Sequence, residues 1–525
     1  MICFHVKEQL AHFFSFRGQA LVKGWTSSLA SYILLCQALG ENMYEFKTTP
    51  YDHQRTAFVD SWQRPYFGLF MEMGTGKSKV ALDTMGALYQ AGDIDTALII
   101  APKGVFDNWV KKEIPVHLPD SIQTKLVKWQ PNFTQKFRAE IQEIADPENR
   151  EPGFLHILVM NTEAFSTQKG ASAALKFVKL NPDCITILDE STSIKNKGAQ
   201  RTKNLIKVGQ ASKYRRILTG SPITKSPMDL FSQCMFLDQR ALGFASYYSF
   251  QGRYATVQRR SMGPHSFNEI TGYRRLDELG EKLDTFSTRV LKEDCLDLPE
   301  KVYQRREVNL TKEQVVLYKQ MKDLALAQLE QGKLATTASV LTQIMRLQQI
   351  CCGHLQPDEG PIQEIKNNRL DELMDVVEEV QGKAIIWATY TYDIHRIEKA
   401  LKKKWGSGVV ASYYGETHQD DRQNIIDRFQ DPDSELRFFV GQPRTGGYGI
   451  TLTEANTVIY FSNSYDLEIR LQSEDRAHRI GQKDNVTYVD LVSPGTIDEK
   501  ILTALRDKIN IAGDVLGESA KNWLI

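Results

Sequence analysis

Short apolar runs recur along this chain in two sets, each run separated from the next by a helix-length, mostly polar stretch. The first set is Phe67 to Phe70, Ala97 to Ala101, Ile157 to Met160, Ile185 to Leu188 and Ile217 to Leu218. The second is Ala384 to Trp387, Phe438 to Val440, Val458 to Phe461 and Val486 to Leu491. Runs this short, many of them β-branched or aromatic, read as buried strands of a parallel sheet with helices on both faces. Such sheets bind their ligands at the carboxyl ends of the strands. The unusual residues of this chain fall at those ends.

With 525 residues the chain exceeds one ordinary core and divides into two or three domains. The expected plan is an N-terminal extension over 1–45, a first α/β domain over 46–240 and a helical insert and linker over 241–369. A second α/β domain follows over 370–515, with a tail at 516–525. In the insert, Thr311-Lys312-Glu313-Gln314 fits a capping box. Leu317, Met321 and Leu324 continue from it at helical spacing, as an apolar stripe packed on its neighbours. Pro299 marks an extended crossover ahead of that helix.

Formal net charge is zero, so a polyanion would have to be met by a local basic surface. The seven cysteines form no C-x-x-C pair and no zinc spacing, which reads as reduced thiols of an intracellular, cytoplasmic protein. The apolar run Ser28 to Leu39 is too short to span a bilayer and lacks a signal-peptide cleavage pattern. No membrane partner is expected.

The segment Met71-Glu72-Met73-Gly74-Thr75-Gly76-Lys77-Ser78 joins a strand to a helix. Glycines there let several backbone amides converge on one anion, and the helix N-terminus adds partial positive charge. Lys77 would reach the outer phosphates of a nucleotide, and Ser78 would ligate magnesium. Downstream, the run Ile185 to Leu188 ends in Asp189-Glu190. Asp189 would hold magnesium, and Glu190 would orient and deprotonate an attacking water. Phosphoryl transfer also needs a cation for the charge developing on the γ-phosphate. Arg476 and Arg479, three apart and expected on one helical face, are the candidates, donated from the second domain.

Taken together these segments resemble the Swi/Snf-type members of helicase superfamily two, from about Pro50 to Ile501 and in that family's motif order. Pro50-Tyr51-Asp52-His53-Gln54 resembles the adenine-reading motif, which implies Gln54 as the base contact. Glu72 to Ser78 is similar to the family's phosphate loop, implying Met73, Gly74, Thr75, Gly76, Lys77 and Ser78 as nucleotide contacts. Leu98 to Pro102, with Asn108-Trp109 after it, is similar to the motif where a strand end meets DNA. Asp189-Glu190-Ser191-Thr192, followed by Ile194-Lys195-Asn196, resembles the Asp-Glu-x-His…Ile-Lys-Asn signature. Leu218-Thr219-Gly220-Ser221-Pro222 resembles the segment that couples nucleotide state to DNA grip, which implies Thr219, Gly220 and Ser221, with Gln472, as coupling residues. Arg289 to Lys301 is similar to the linker into the helical insert, and Thr445 to Leu452 to the Gly-rich motif of the second domain. Asp475-Arg476-Ala477-His478-Arg479-Ile480-Gly481-Gln482 is the most specific match. Three places depart from the pattern: Thr192 replaces His, Gln442-Pro443 replace a hydroxyl pair, and Thr451 replaces Asn. None removes a catalytic group.

The resemblance implies two RecA-like domains in tandem that use ATP and magnesium to step along duplex DNA, with a recruiting protein as a further partner. Expected DNA contacts are Pro102, Lys103, Asn161, Thr162, Lys195, Arg444, Gly446 and Gly447, where strand ends and nearby cations would meet phosphates. The clusters Arg259-Arg260 and Lys402-Lys403-Lys404 have a weaker claim to such contacts than Lys103, Lys195 and Arg444. The alternatives are a strand-separating helicase, an RNA-directed motor and a catalytically silent DNA-binding scaffold. The first would carry a pin or wedge that is not readable in the sequence, and the intact Lys77, Asp189, Glu190, Arg476 and Arg479 set opposes the last.

Overall fold

The computed structural model describes residues 44–262, 265–330, 337–357, 359–446 and 450–516. Nearly all of the expected N-terminal extension, nearly all of the expected tail, and Gly447 lie outside the described residues.

In chain order the strands are β1 (Tyr66–Met71), β2 (Thr96–Ala101), β3 (Thr124–Lys128), β4 (Leu155–Asn161), β5 (Cys184–Asp189) and β6 (Tyr214–Leu218). Then come β7 (Ala255–Met262), β8 (His265–Tyr273), β9 (Ser287–Val290), β10 (Lys301–Glu307), β11 (His354–Leu355) and β12 (Gln363–Glu364). The last five are β13 (Lys383–Trp387), β14 (Val410–Tyr413), β15 (Phe438–Gly441), β16 (Ala455–Tyr460) and β17 (Val486–Val492). One sheet runs β3-β4-β2-β5-β6-β1-β9 and the other β10-β17-β16-β13-β15-β14. Every pairing in both is parallel.

Alternate residues of β2 enter different cores. Leu98 and Ile100 face one apolar cluster; Ala97, Ile99 and Ala101 face another. Sheets covered on both faces need strands apolar throughout, which is why these runs stand out in the sequence. The register also brings the carboxyl ends together: Ala101 lies opposite Asn161, and Asp189 opposite Leu218. The loops after β1, β2, β4, β5 and β6 therefore share one edge.

The stretch expected as one helical insert is divided between the domains. β9 adds to the first sheet and β10 to the second. Both are edge strands with sequences Ser-Thr-Arg-Val and Lys-Val-Tyr-Gln-Arg-Arg-Glu, so they lack the apolar run of a central strand. Ala255–Met262 pairs antiparallel with His265–Tyr273 where helix was expected. The capping box at Thr311 is present: Thr311 N donates to Gln314 Oε1 (3.0 Å) and Gln314 N to Thr311 Oγ1 (3.3 Å). The expected stripe turns by one position, however. Gln314 and Ala325 are buried and Met321 packs on a core, whereas Leu324 is 50% exposed.

The helix Ile497–Leu516 ties the halves together. Ile501, Leu502 and Leu505 lie in a cluster of the second domain, while Ala512 and Leu516 pack against the core of the first. Its start is fixed by Arg369, fully buried, whose guanidinium donates to Phe461 O (2.6 Å), to Ser493 Oγ (3.0 Å) and to the Asp498 carboxylate. Arg369→Met keeps the length but strands a buried carboxylate, which typically costs about 3–5 kcal/mol. Calorimetry should show a clear drop in the unfolding temperature of the second domain, partly recovered by adding Asp498→Asn. An unchanged transition would mean the pair carries no such role.

Candidate nucleotide site at the domain interface

β1 runs out at Met71, and the loop to the helix Lys77–Gln90 turns through Gly74 (φ +84°) and Gly76 (φ +92°). Side chains avoid that left-handed region, which is why glycines stand there. Thr75 Oγ1 donates to Glu72 O (2.7 Å), and Lys77 Nζ lies 3.4 Å from the same carbonyl. Gln54 packs on the loop: its Nε2 donates to Thr75 O (3.0 Å), and a Cβ on Gly76 would come within 2.1 Å of that nitrogen. Its carbonyl oxygen accepts from Tyr51 N (3.1 Å). Ser78 follows in the first helical turn. Loop, lysine and serine have the form that cradles nucleotide phosphates, and Ser78 with Asp189 are the residues that would hold magnesium. A bound magnesium ion supplies charge neutralisation on those phosphates.

β5 delivers Asp189 and Glu190 to the same edge. Trp109, buried in a wide π-type turn, donates its indole N–H to Asp189 Oδ2 (2.9 Å), and Glu190 N donates to Asp189 Oδ1 (2.9 Å). Glu190 takes φ 48°, ψ 61°, a strained conformation for a residue with a side chain. Burial pushes its carboxyl up to about 8; Asp189 and Glu468 add to the rise, while Lys77 and Arg476 oppose it. Asp189 is raised too, chiefly by burial, against the Trp109 hydrogen bond and the Lys77 charge.

The loop after β6 lies against the phosphate loop. A Cβ on Gly220 would sit 3.3 Å from Met73 N. Thr219 Oγ1 accepts from Ser221 N (3.1 Å). Gln233, fully buried, joins two strand ends: its Oε1 accepts from Ser191 Oγ (2.7 Å) and its Nε2 donates to Pro222 O (2.8 Å).

The second domain presents its arginines to this loop. Arg476, fully buried, donates from Nη1 to Ile450 O (3.0 Å) and from Nε to Gln472 O (2.9 Å), and its Nη2 is 3.6 Å from Met73 Sδ. Arg479 Nη1 donates to Thr451 Oγ1 (3.1 Å), and its Cγ would be 3.9 Å from a Cβ on Gly74. The two arginines do not share a helix. The helix Leu467–Glu474 ends before them, and the chain turns instead. Gln482 holds that turn by directing its Nε2 at Thr453 O, Ala455 O and Ala477 O (2.9–3.2 Å).

Charge ties the domains across the cleft. Lys292 of the linker is buried, with Nζ donating to Asp475 Oδ1 (2.6 Å) and to His478 O (3.1 Å), while its backbone N–H donates to Glu72 Oε2 (2.9 Å). Burial would raise Asp475, but the Lys292 and Lys301 ammoniums hold it below the usual carboxylate range. Arg289 Nη1 donates to Phe70 O (3.0 Å) and Gly220 O (2.9 Å). Glu468 receives Thr192 Oγ1 (2.7 Å), Lys195 Nζ (3.0 Å) and Gln472 Nε2 (3.4 Å). A cavity of about 640 Å³ lies between these groups, bordered by Glu72, Glu190, Gly220, Arg289 and Gln472.

The expected nucleotide residues thus converge. The expected DNA contacts are more scattered. Lys103 N and Asn161 Nδ2 both donate to Glu163 (3.2 and 3.0 Å), and Thr162 is buried. Lys195 is engaged with Glu468 and Thr224, Arg444 is exposed, and Gly446 packs on Trp387. Lys292, Glu468, Gln233 and Glu113, whose half-buried carboxyl is raised by desolvation and by Asp189, were not singled out in the sequence. Only Lys292 carries a signal there, as the lysine inside the linker match.

Fold and cleft together define a tandem RecA-like core with a phosphate loop in one domain and an arginine pair facing it from the other. Residues 67–356 match the SNF2-related domain, and residues 365–481 the helicase conserved C-terminal domain. The chain belongs to the SNF2-related family. It is 27% identical over 472 residues to the Arabidopsis thaliana protein named "Probable ATP-dependent DNA helicase CHR23", covering 87% of this chain and 42% of that one. It is 24% identical over 475 residues to the Mycoplasma genitalium "Uncharacterized ATP-dependent helicase MG018", covering 89% and 42%. The chain thus spans less than half the length of these relatives. A Sulfolobus solfataricus SWI2/SNF2 ATPase core in complex with dsDNA aligns over 92% of this chain and 99% of that chain, with 24% identity and a TM-score of 0.41.

If Lys292 closes the cleft, Lys292→Met should enlarge the radius of gyration of the nucleotide-free protein in small-angle X-ray scattering, and Lys292→Arg should not. A Lys292→Met curve superimposable on wild type would mean that the cleft is held by other contacts.

Proposed function

We propose that this chain is an ATP-dependent translocase on double-stranded DNA, driven by ATP hydrolysed between its two domains. The observation that carries this reading is Arg476, whose guanidinium reaches Met73 of the phosphate loop from the opposite domain. One closed cleft then contains Lys77 for the phosphates, Glu190 for the attacking water and Arg476 for the charge of the transition state. Ser78 and Asp189 complete it as the magnesium residues. The relatives' names support the nucleotide and the substrate, one being called an ATP-dependent DNA helicase and the other an ATP-dependent helicase.

Hydrolysis removes the contact that draws the arginines toward the phosphate loop, so the domains close and open once per ATP. Strand-end amides and hydroxyls along the shared edge of the first sheet grip backbone phosphates without reading sequence. Described helices include none long and apolar enough to cross a membrane, and the working location is the DNA-containing interior of a cell.

Steady-state ATPase activity should rise strongly with duplex DNA, and little with single-stranded DNA or RNA. Stimulation by RNA alone, or by single strands alone, would overturn the duplex reading. Lys77→Ala should abolish turnover, and Glu190→Gln should bind ATP yet hydrolyse it slowly. Arg476→Ala should lower kcat by about 10³-fold or more while ATP affinity is retained, the usual scale for an arginine finger. Loss of affinity with kcat intact would remove Arg476 from that role.

A further inference from the structure

The hairpin β7–β8 is an arm that the fold does not need for its core. Tyr254 and Ala255 at its root are buried in the first domain, and Ile270 and Tyr273 rest against the same cluster. Beyond them Thr256, Val257, Gln258, Arg259 and Arg260 are all exposed on β7, as are Asn268 and Glu269 on β8. A lone two-stranded hairpin is marginal in water, so a long one has to be held at its base. Here Arg253 Nε and Tyr254 Oη donate to Glu278 (3.2 and 2.9 Å), and Arg274 Nε donates to Arg253 O (3.2 Å).

The arm and its root carry more positive than negative charge. Arg259 and Arg260 stand on β7 against one acid, Glu269, on β8, and Arg253, Arg274 and Arg275 flank the root, where Arg253 pairs with Glu278, in a chain whose net charge is zero. Arg260 pairs with Glu269 (2.6 Å), but Arg259 donates only to a neutral oxygen among its described contacts, Ser266 Oγ (3.0 Å). Charge that merely protects an exposed strand edge can be of either sign. An excess of arginine, whose planar fork matches phosphate oxygens, points to a polyanion.

The root also sits at the right edge of the domain. Tyr273 lies beside Ser226, in the loop after β6. Lys197, in the segment after β5, lies 3.2 Å from the ring centre of Tyr247, which packs against the same cluster as Tyr273. The arm therefore springs from the loops at the carboxyl edge of the sheet.

We propose that the β7–β8 arm is a second grip on duplex DNA, its arginines holding backbone phosphates outside the interdomain cleft. This rests on the duplex reading above. Eight residues of strand at ~3.3 Å each reach roughly 26 Å, or about eight base pairs at ~3.4 Å per pair.

Two variants test it. Arg259→Gln/Arg260→Gln should make the slope of log affinity for a 30-base-pair duplex against log salt shallower by about 2, at roughly 0.9 per lost phosphate contact. In the second, residues 258–269 are replaced by Asn-Gly, joining Val257 to its register partner Ile270 by a two-residue turn. The variant removes five of the eight β7 residues, so the shortest duplex giving full ATPase stimulation should be about five base pairs shorter than for wild type. An unchanged slope and an unchanged minimum length would overturn the proposal and leave the arm as a protein-docking element. If wild-type turnover responds to no duplex of any length, the duplex reading itself fails and the arm proposal with it.

Discussion

The ammonium of Lys292 is buried between acids of both domains, and the geometry of the cleft depends on that arrangement. Its side chain binds Asp475, one residue before Arg476, while its backbone binds Glu72, two residues before Gly74. An apolar interface of the same size would be stickier but less particular about register. A buried ion pair gains little net free energy, because desolvation cancels most of the Coulomb attraction, yet it is strongly disfavoured in any misaligned geometry. Such a contact fixes where two bodies meet without fixing that they must stay together. Lys301, at the start of β10, binds Glu474 within the second domain (3.2 Å) and so holds the far end of the linker beside the same acidic pair.

The same logic explains how the linker can serve as a hinge. β9 ends at Val290 in one sheet and β10 begins at Lys301 in the other, so about ten residues carry the whole covalent connection on this side. Arg289 and Lys292 anchor that stretch to the phosphate loop at its first turn, and Lys301 and Tyr303 anchor it to Glu474 at its end. The helix Ile497–Leu516 returns from the second domain to the first and provides a second crossing. Two crossings confine the relative motion of the domains to fewer directions than one would.

What could be read in the sequence follows from what each residue has to do alone. β1, β2, β4 and β5 are mostly apolar because both faces are covered, and β6 keeps the pair Ile217-Leu218, so nearly every central strand is visible as a run. Gly74 and Gly76 are visible because backbone geometry demands glycine, and Asp189-Glu190 because an acidic pair at a strand end, common by itself, follows a phosphate loop in the same sheet. β9 and β10 are hidden because edge strands tolerate polar residues. Lys292 and Glu468 are hidden for another reason: each matters only through a partner about 180 or 270 residues away. The hairpin read as helix because its charge suggested a solvated face, and strand alternation is weak where both faces meet water. The turn at Arg476 read as helix because spacing alone cannot show that the helix ends at Glu474 and that Gln482 holds the turn after it through the carbonyls of Thr453, Ala455 and Ala477.

Thr192 shows how a departure from a family pattern can be absorbed. Its hydroxyl is short, yet it reaches Glu468 of the second domain, and Lys195 meets the other oxygen of the same carboxylate. Lys195 also donates to Thr224 (2.8 Å), and Gln233 joins Ser191 to Pro222, so the loops after β5 and β6 are cross-linked on both sides of the strand ends. Gly220 packs closely on the phosphate loop, where a Cβ would sit 3.3 Å from Met73 N. The phosphate loop thus touches the β6 loop, and the β6 loop is joined through Thr224 to Lys195 and, by Glu468, to the second domain. Coupling of this kind needs no long chain of contacts. It needs three loops at one sheet edge, packed against one another.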